Sequence, residues 1–183
     1  MLLRVLALLT GLFPASLAAQ DWDALRQSGS VALMRHALAP GTGDPAGFRL
    51  DDCSTQRNLD DTGRVQARRI GEALRAQDIE FDYIWSSGWC RAYDTAALLD
   101  MGPVEIRPFL HSFFAGRGNP QAQTQDALGA LAGLPRDARV LLVTHQVNIT
   151  ALTGETLPSG AIVVVQHRKD GGLEVSGRVT IAP

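Results

Sequence analysis

Val140-Leu141-Leu142-Val143 constrains this chain more than any other feature. Four apolar β-formers in a row, bounded by Arg139 and by Thr144-His145, are too few for a buried helix. Without apolar/polar alternation, they read as a strand buried on both faces. Such a strand needs neighbours in a sheet and helices above and below it. Ser30–Met34, Phe81–Trp85 and Val104–Ile106 are runs of the same kind. Between them lie helical patterns: a short one at Trp22–Gln27, a long one capped by Asp60 or Asp61 and ending at Gln77, and others at Cys90–Leu99, Gln121–Leu131 and Val147–Leu152. In the long helix Val65, Ile70, Ala73 and Leu74 form one apolar stripe, with Arg64, Arg68, Arg69 and Arg75 largely outward. Ile162–Gln166 and Leu173–Val179, joined at Asp170-Gly171-Gly172, close the chain as a hairpin. The expected fold is α/β: a single domain over 20–183 with a mainly parallel open sheet and helices on both faces.

Composition supports one core and removes several classes. Of 183 residues, 45% are hydrophobic and 20% charged, while the counts of Gly (18), Pro (9) and Cys (2) fit no collagen-like, disordered or disulfide-dense chain. A formal charge of −2 offers no field that would gather nucleic acid or an anionic membrane surface. Lys169 is the single lysine, so the basic side chains are arginines, suited to bidentate contacts with carboxylate or phosphate. A GC-rich genome produces the same bias.

MLLRVLALLTGLFPASLAA has an early cation, Arg4, an apolar run from Val5 to Phe13 and a small-residue end. This is the pattern of a cleaved secretory signal over 1–19, cut after Ala18 or Ala19. The run is short for a bilayer span, so a periplasmic or secreted domain is expected. In an oxidising compartment Cys53 and Cys90 can pair; two free thiols are the alternative. Neither CxxC nor HxxxH spacing occurs, and no metal site is expected.

Three polar clusters follow expected strands: Arg35-His36, Ser86 through Arg91, and Thr144-His145. Ligands of open α/β sheets bind beyond the carboxyl ends of the strands. A lone histidine there is ordinarily structural, but three clusters at one sheet edge change that balance. Two arginines and two histidines converging on one cleft repel one another until an anion is bound. A dianionic phosphoryl group would satisfy all four. The loop Ala37–Asn58, with Pro40, Gly41, Gly43, Pro45 and Gly47, is long enough to suggest a functional role.

In that order, ALMRHA, CSTQRNLDDTGRVQARRIGEAL, WSSGWCRAYDTAALL and VLLVTHQVNITAL resemble the signature segments of the histidine phosphatase superfamily. The resemblance covers nearly all of the expected mature chain. Its short length is similar to the compact, phosphohistidine-phosphatase-like branch, which has exported members. The resemblance implies that His36 is the nucleophile, that Arg35 and Arg91 hold phosphate, and that His145 is the second active-site histidine. It also puts Arg57 where compact members have a third phosphate-binding arginine. The chemistry implied needs no cofactor or metal, because arginines take the place of a divalent ion at the phosphoryl oxygens. A Cys53–Cys90 bridge would then tie the long loop to Arg91 and support the pocket.

Two positions depart from the family pattern. Ala37 stands where the family has glycine. The general acid is also missing: Gln146 occupies the acid-phosphatase aspartate position, and Ser112 in Leu110-His111-Ser112 occupies the mutase glutamate position. His111 and, more weakly, Asp44 are the substitutes considered. General acid help is worth ~10²–10⁴ in rate, so its absence favours good leaving groups. The expected activity is hydrolysis of a phosphorylated small molecule or an envelope sugar or lipid phosphate. The alternative is a phosphate-binding or sensor module with little turnover.

Other signals carry less. Gly41-Thr42-Gly43 lacks the Gly-Lys-Ser/Thr of a phosphate loop. Asn148-Ile149-Thr150 fits a glycosylation pattern but reads as a packed helix start. His167 is expected to be solvated. Phe109, Phe113 and Phe114 are assigned to the core, with the pocket wall as the alternative.

Overall fold

The computed structural model describes residues 20–181; the expected signal sequence lies outside them. The elements, in chain order, are α1 (Trp22–Arg26), β1 (Val31–Arg35), α2 (Asp61–Ala76), β2 (Tyr83–Ser86), α3 (Cys90–Leu99), β3 (Val104–Ile106), α4 (Pro120–Ala132), β4 (Val140–Thr144), α5 (Gln146–Thr153), β5 (Ile162–His167) and β6 (Leu173–Val179). Single 3₁₀ turns at Cys53–Thr55, Pro108–Leu110 and Phe114–Gly116 lie in the connections between these elements.

The six strands form one sheet in the order β3-β2-β4-β1-β5-β6. β3, β2, β4 and β1 are parallel, and β5 and β6 add an antiparallel edge. β4 is central and every residue in it is buried, as its unbroken apolar run requires. The period of two divides the core cleanly. Ala32, Met34, Leu141 and Val143 face α2 and α3, meeting Ile70, Leu74, Ala96 and Leu99. Val31, Leu33, Val140 and Leu142 face the other way, toward Leu131 of α4 and Ile149 of α5. Each fully buried Val or Leu contributes roughly 1.5–3 kcal/mol relative to exposure, so shifting β1 or β4 by one residue would forfeit packing on both faces at once.

Local chemistry fixes the helix ends. Asp60 caps α2 by accepting from the Gly63 amide at 2.7 Å. Asn119 caps α4 by accepting from Ala122, with Pro120 in the first helical position, and so α4 starts one residue earlier than expected. β2 is shifted toward its carboxyl end and includes Ser86, whose carbonyl accepts from Arg107. Gly63 allows α2 to press against the segment that follows β1: a Cβ at this position would lie 1.9 Å from the Leu38 carbonyl oxygen. That contact brings residues 37–39 over the carboxyl edge of the sheet.

The loop over 37–58 is long but anchored. Leu38 donates to Gln66 on α2, and Ala37 donates to Thr95 on α3. Cys53 and Cys90 are joined by a disulfide with a Cα–Cα distance of 5.7 Å. The bridge ties the loop to the first residue of α3, next to Arg91, and Cys90 also donates to the Gln56 side chain at 2.9 Å.

Candidate active site

Register brings the two histidines together. Arg35 of β1 pairs with Thr144 of β4, and the His36 amide continues the ladder to the Thr144 carbonyl at 3.0 Å. His36 and His145 therefore leave adjacent parallel strands at the same level. Their ring centroids are 5.4 Å apart and the planes are tilted by 66°. The Ser87 amide donates to the Val143 carbonyl, which brings the β2 end to the same edge. There the wall of a cavity of about 270 Å³ includes Arg35, His36, Arg57, Arg91 and His145. All five residues that the resemblance implies thus share one cavity.

Hydrogen bonds fix the state of His36. Nδ1 lies 2.7 Å from the Ala37 carbonyl, an acceptor only, so Nδ1 carries the proton and Nε2 keeps the lone pair. Burial lowers the His36 pKa to about 3; the charges of Arg91, Arg57 and Arg35 act in the same direction, and the Ala37 hydrogen bond opposes them. Burial, with help from His36 and the arginines, also lowers the pKa of His145 well below its ordinary range. His145 Nε2 and the Ser87 hydroxyl are hydrogen-bonded at 2.9 Å. Both rings are neutral near pH 7, and a neutral imidazole is the form that can act as a nucleophile.

The arginines are held by protein at one edge. Arg35 Nη1 donates to the Leu157 carbonyl at 2.7 Å. Arg57 donates from Nε to the Gly43 carbonyl at 2.7 Å and from Nη1 to the Ala39 carbonyl. Arg91 Nη1 donates to Asp44 Oδ1 at 2.6 Å and to the Arg57 carbonyl at 3.2 Å. By contrast, Arg35 Nε and Arg91 Nε are buried with no hydrogen-bond partner among the described residues. An unpartnered buried donor is costly, and here two of them belong to cations on one cavity wall. The arrangement can bind an oxyanion through the Nε edges of two guanidinium groups.

A model of the histidine phosphatase superfamily (branch 1) matches residues 31–119, which include Arg35, His36, Arg57 and Arg91. That match supports assignment of the chain to the histidine phosphatase superfamily. Solved structures share the fold. The protein histidine phosphatase SixA complexed with tungstate is 22% identical, with a TM-score of 0.59, covering 82% of this chain and 96% of that one. A mycobacterial glucosyl-3-phosphoglycerate phosphatase is 16% identical, with a TM-score of 0.61, over 82% and 98% of the two chains. A phosphoserine phosphatase from Entamoeba histolytica, in complex with 3-phosphoglyceric acid, is 15% identical, with a TM-score of 0.58, over 83% and 97%. Comparison with curated protein sequences found no match.

Neither substitute acid, His111 or Asp44, lines the cavity. His111 is absent from the cavity wall; its ring packs edge-on against Trp89, and its buried Nε2 lies near Gly88, where a Cβ would come within 2.9 Å of it. Burial lowers its pKa. Asp44 is bound to Arg91 and Trp89. Burial raises its carboxyl pKa, but the Arg91 and Trp89 hydrogen bonds and the Arg91 charge outweigh that and hold it below its ordinary value. It is therefore ionised and has no proton to donate. Ser112 does line the cavity, where the mutase-like glutamate was expected. Gln146 also touches it, but its amide is committed: Nε2 donates to Thr150 and to the Glu155 carbonyl, and Oε1 accepts from Leu157. No carboxyl group lines the cavity among the described residues, nor do three His, Cys, Asp or Glu side chains form a metal-binding cluster there.

Other assignments sort by burial. Phe109 packs beside Trp85 against the core, as expected. Phe114 does not: it is 43% exposed and lines the cavity from the single turn over Phe114–Gly116. Asn148 is buried and donates to the His111 carbonyl at 3.0 Å, as a packed helix start requires. Sequence reasoning missed Ser87 as the partner of His145, although Ser87 stood in a cluster already singled out. It also missed Gln66 and Thr95, for which no sequence signal existed.

Proposed function

We propose that the protein is an exported phosphatase that takes a phosphoryl group onto His36 and passes it to water. The pair of buried, unpartnered Nε donors on Arg35 and Arg91 carries this reading. A tetrahedral phosphoryl group has oxygens enough to meet both edges, along with Arg57. In the first step the His36 Nε2 lone pair attacks phosphorus in line, forming a P–N bond as the bond to the leaving group breaks. Arg35, Arg57 and Arg91 stabilise the charge on the equatorial oxygens. In the second step water attacks the phosphohistidine, the P–N bond breaks, and inorganic phosphate and neutral His36 are released. The arginines take the role a divalent cation has elsewhere, so chelators should leave the rate unchanged.

The leaving group must depart without a carboxylic acid beside it. That favours phosphoanhydrides, phosphoramidates and other good leaving groups on a small molecule or an envelope glycan or lipid. The fold neighbour SixA is described as a protein histidine phosphatase, and phosphohistidine is one such phosphoramidate. Export is supported by the leader pattern over 1–19 and by the Cys53–Cys90 bridge.

The missing acid also favours a second reading, an anion-binding module with little turnover. Protein denatured at alkaline pH from a reaction with a labelled aryl phosphate, then exposed to acid, separates the two. The expected result is an acid-labile phosphoenzyme in the wild type and none in His36→Ala. Phosphate binding without label or release would support the binding module and refute the phosphatase. Among aryl phosphates of graded leaving-group pKa, kcat/KM should fall steeply as basicity rises; a flat series would reveal an acid in the site.

A further inference from the structure

We infer that Asp44 is a positioning residue: its carboxylate holds the Nη1/Nη2 edge of Arg91 so that the Nε/Nη2 edge is presented to the phosphoryl group. The inference rests on the reading of the cavity as a phosphoryl site and assigns a role to a loop residue that does not line it.

The geometry is specific. Oδ1 of Asp44 accepts from Arg91 Nη1 at 2.6 Å and from the Arg57 amide at 3.2 Å. Oδ2 accepts from Trp89 Nε1 at 3.0 Å and from Arg91 Nη2 at 3.3 Å. Four donors converge on two oxygens, and the Asp44 and Arg91 side chains are each only 3% exposed. A carboxylate so enclosed is not available to water or a leaving group. A guanidinium has two forked edges; Asp44 holds one, and the other contains the buried Nε that has no partner. Trp89 in turn is braced by Phe48, stacked on it at 5.1 Å between centroids. Asp44 and Phe48 both belong to the loop that the Cys53–Cys90 bridge ties to α3, so the loop aims an arginine on the helix.

Charge gives the pair a second effect. Arg35, Arg57 and Arg91 with one ionised carboxylate leave two net positive charges, which match a phosphoryl dianion. Without Asp44 the site would carry a third charge, attracting product phosphate while Arg91 lost its aim. Asp44→Asn keeps the side-chain size and removes the charge. Its kcat for an aryl phosphate should fall about 10- to 100-fold, less than or comparable to the loss of a transition-state donor itself. Its inhibition by inorganic phosphate should stay equal or tighten. A residue that merely pinned the loop would give the reverse: weaker phosphate inhibition with kcat preserved, and that result overturns the inference.

The second arm does not depend on the folding of a variant with an unpaired buried charge. Asp44→Asn placed in an Arg91→Ala background removes both charges. There it should change kcat/KM by less than about twofold, because the two residues act as one unit. A further loss of about tenfold or more in that background would show that Asp44 acts other than through Arg91, and would equally overturn the inference. Wild-type protein that neither binds inorganic phosphate nor forms a phosphoenzyme refutes the phosphoryl-site reading itself. Wild-type turnover with full kcat in Asp44→Asn refutes only the role of Asp44.

Discussion

Replacing His36 by asparagine should remove a defined part of the protein's acid sensitivity. The His36 pKa is about 3 in the folded protein, against an ordinary value of 6.5 that applies when the chain unfolds. Below about pH 6.5 the unfolded chain therefore takes up a proton at this position that the folded chain refuses, and folding loses free energy. The contribution is fully present above pH 6.5 and is lost as pH falls toward 3. At pH 5, well above the folded value, the linkage relation gives a loss of about 2 kcal/mol relative to pH 8. Urea unfolding of wild type and His36→Asn at both pH values measures it. The wild type should lose about 2 kcal/mol more than the variant between the two conditions. His145, whose pKa is depressed in the same direction chiefly by burial and secondarily by His36, adds its own loss in both proteins, and the burial part of that loss cancels in the difference. Equal pH dependence, within about 0.5 kcal/mol, would refute the claim that His36 is buried in its neutral form.

Three further outcomes follow from contacts described above. Reducing the Cys53–Cys90 bridge, which spans 37 residues of sequence, should lower stability by about 3–4 kcal/mol and weaken inhibition by inorganic phosphate. Unchanged phosphate affinity in dithiothreitol would separate the bridge from the site. Gly63→Ala should drive its Cβ against the Leu38 carbonyl and cost about 1–3 kcal/mol, read as a lowered Tm together with reduced turnover. Phe114→Ala should raise KM for aryl phosphates several-fold, about 1 kcal/mol, with little effect on methyl phosphate; equal KM changes for both would remove Phe114 from substrate contact.

The parts of the fold set by periodicity were legible in the sequence. The run Val140–Val143 implied a central strand, and β4 occupies that position with both faces covered. The polar clusters after β1, β2 and β4 were legible as one edge because an α/β sheet brings its parallel strand ends together. The roles of Asp44 and Gln146 were not. A carboxylate on a glycine-rich loop has the same sequence appearance whether it donates a proton or neutralises an arginine, and only the closed path of the loop over α3 decides between them. Gln146 stood at a position associated with acid chemistry, yet its amide is committed to the turn that follows α5. Phe114 was misassigned because an apolar side chain in an irregular segment has no periodicity to indicate which way it faces.

The matched register of Arg35 with Thr144 makes the two imidazoles a gauge of strand zippering. They sit on non-neighbouring stretches of chain, and no local turn or helix can bring them together. During refolding, catalytic competence should therefore return only when the long-range β1–β4 ladder closes, after helical signal has recovered. For the same reason, insertions should be tolerated in the turn between β5 and β6, whereas one extra residue inside β1 or β4 would send one ring to the opposite side of the sheet.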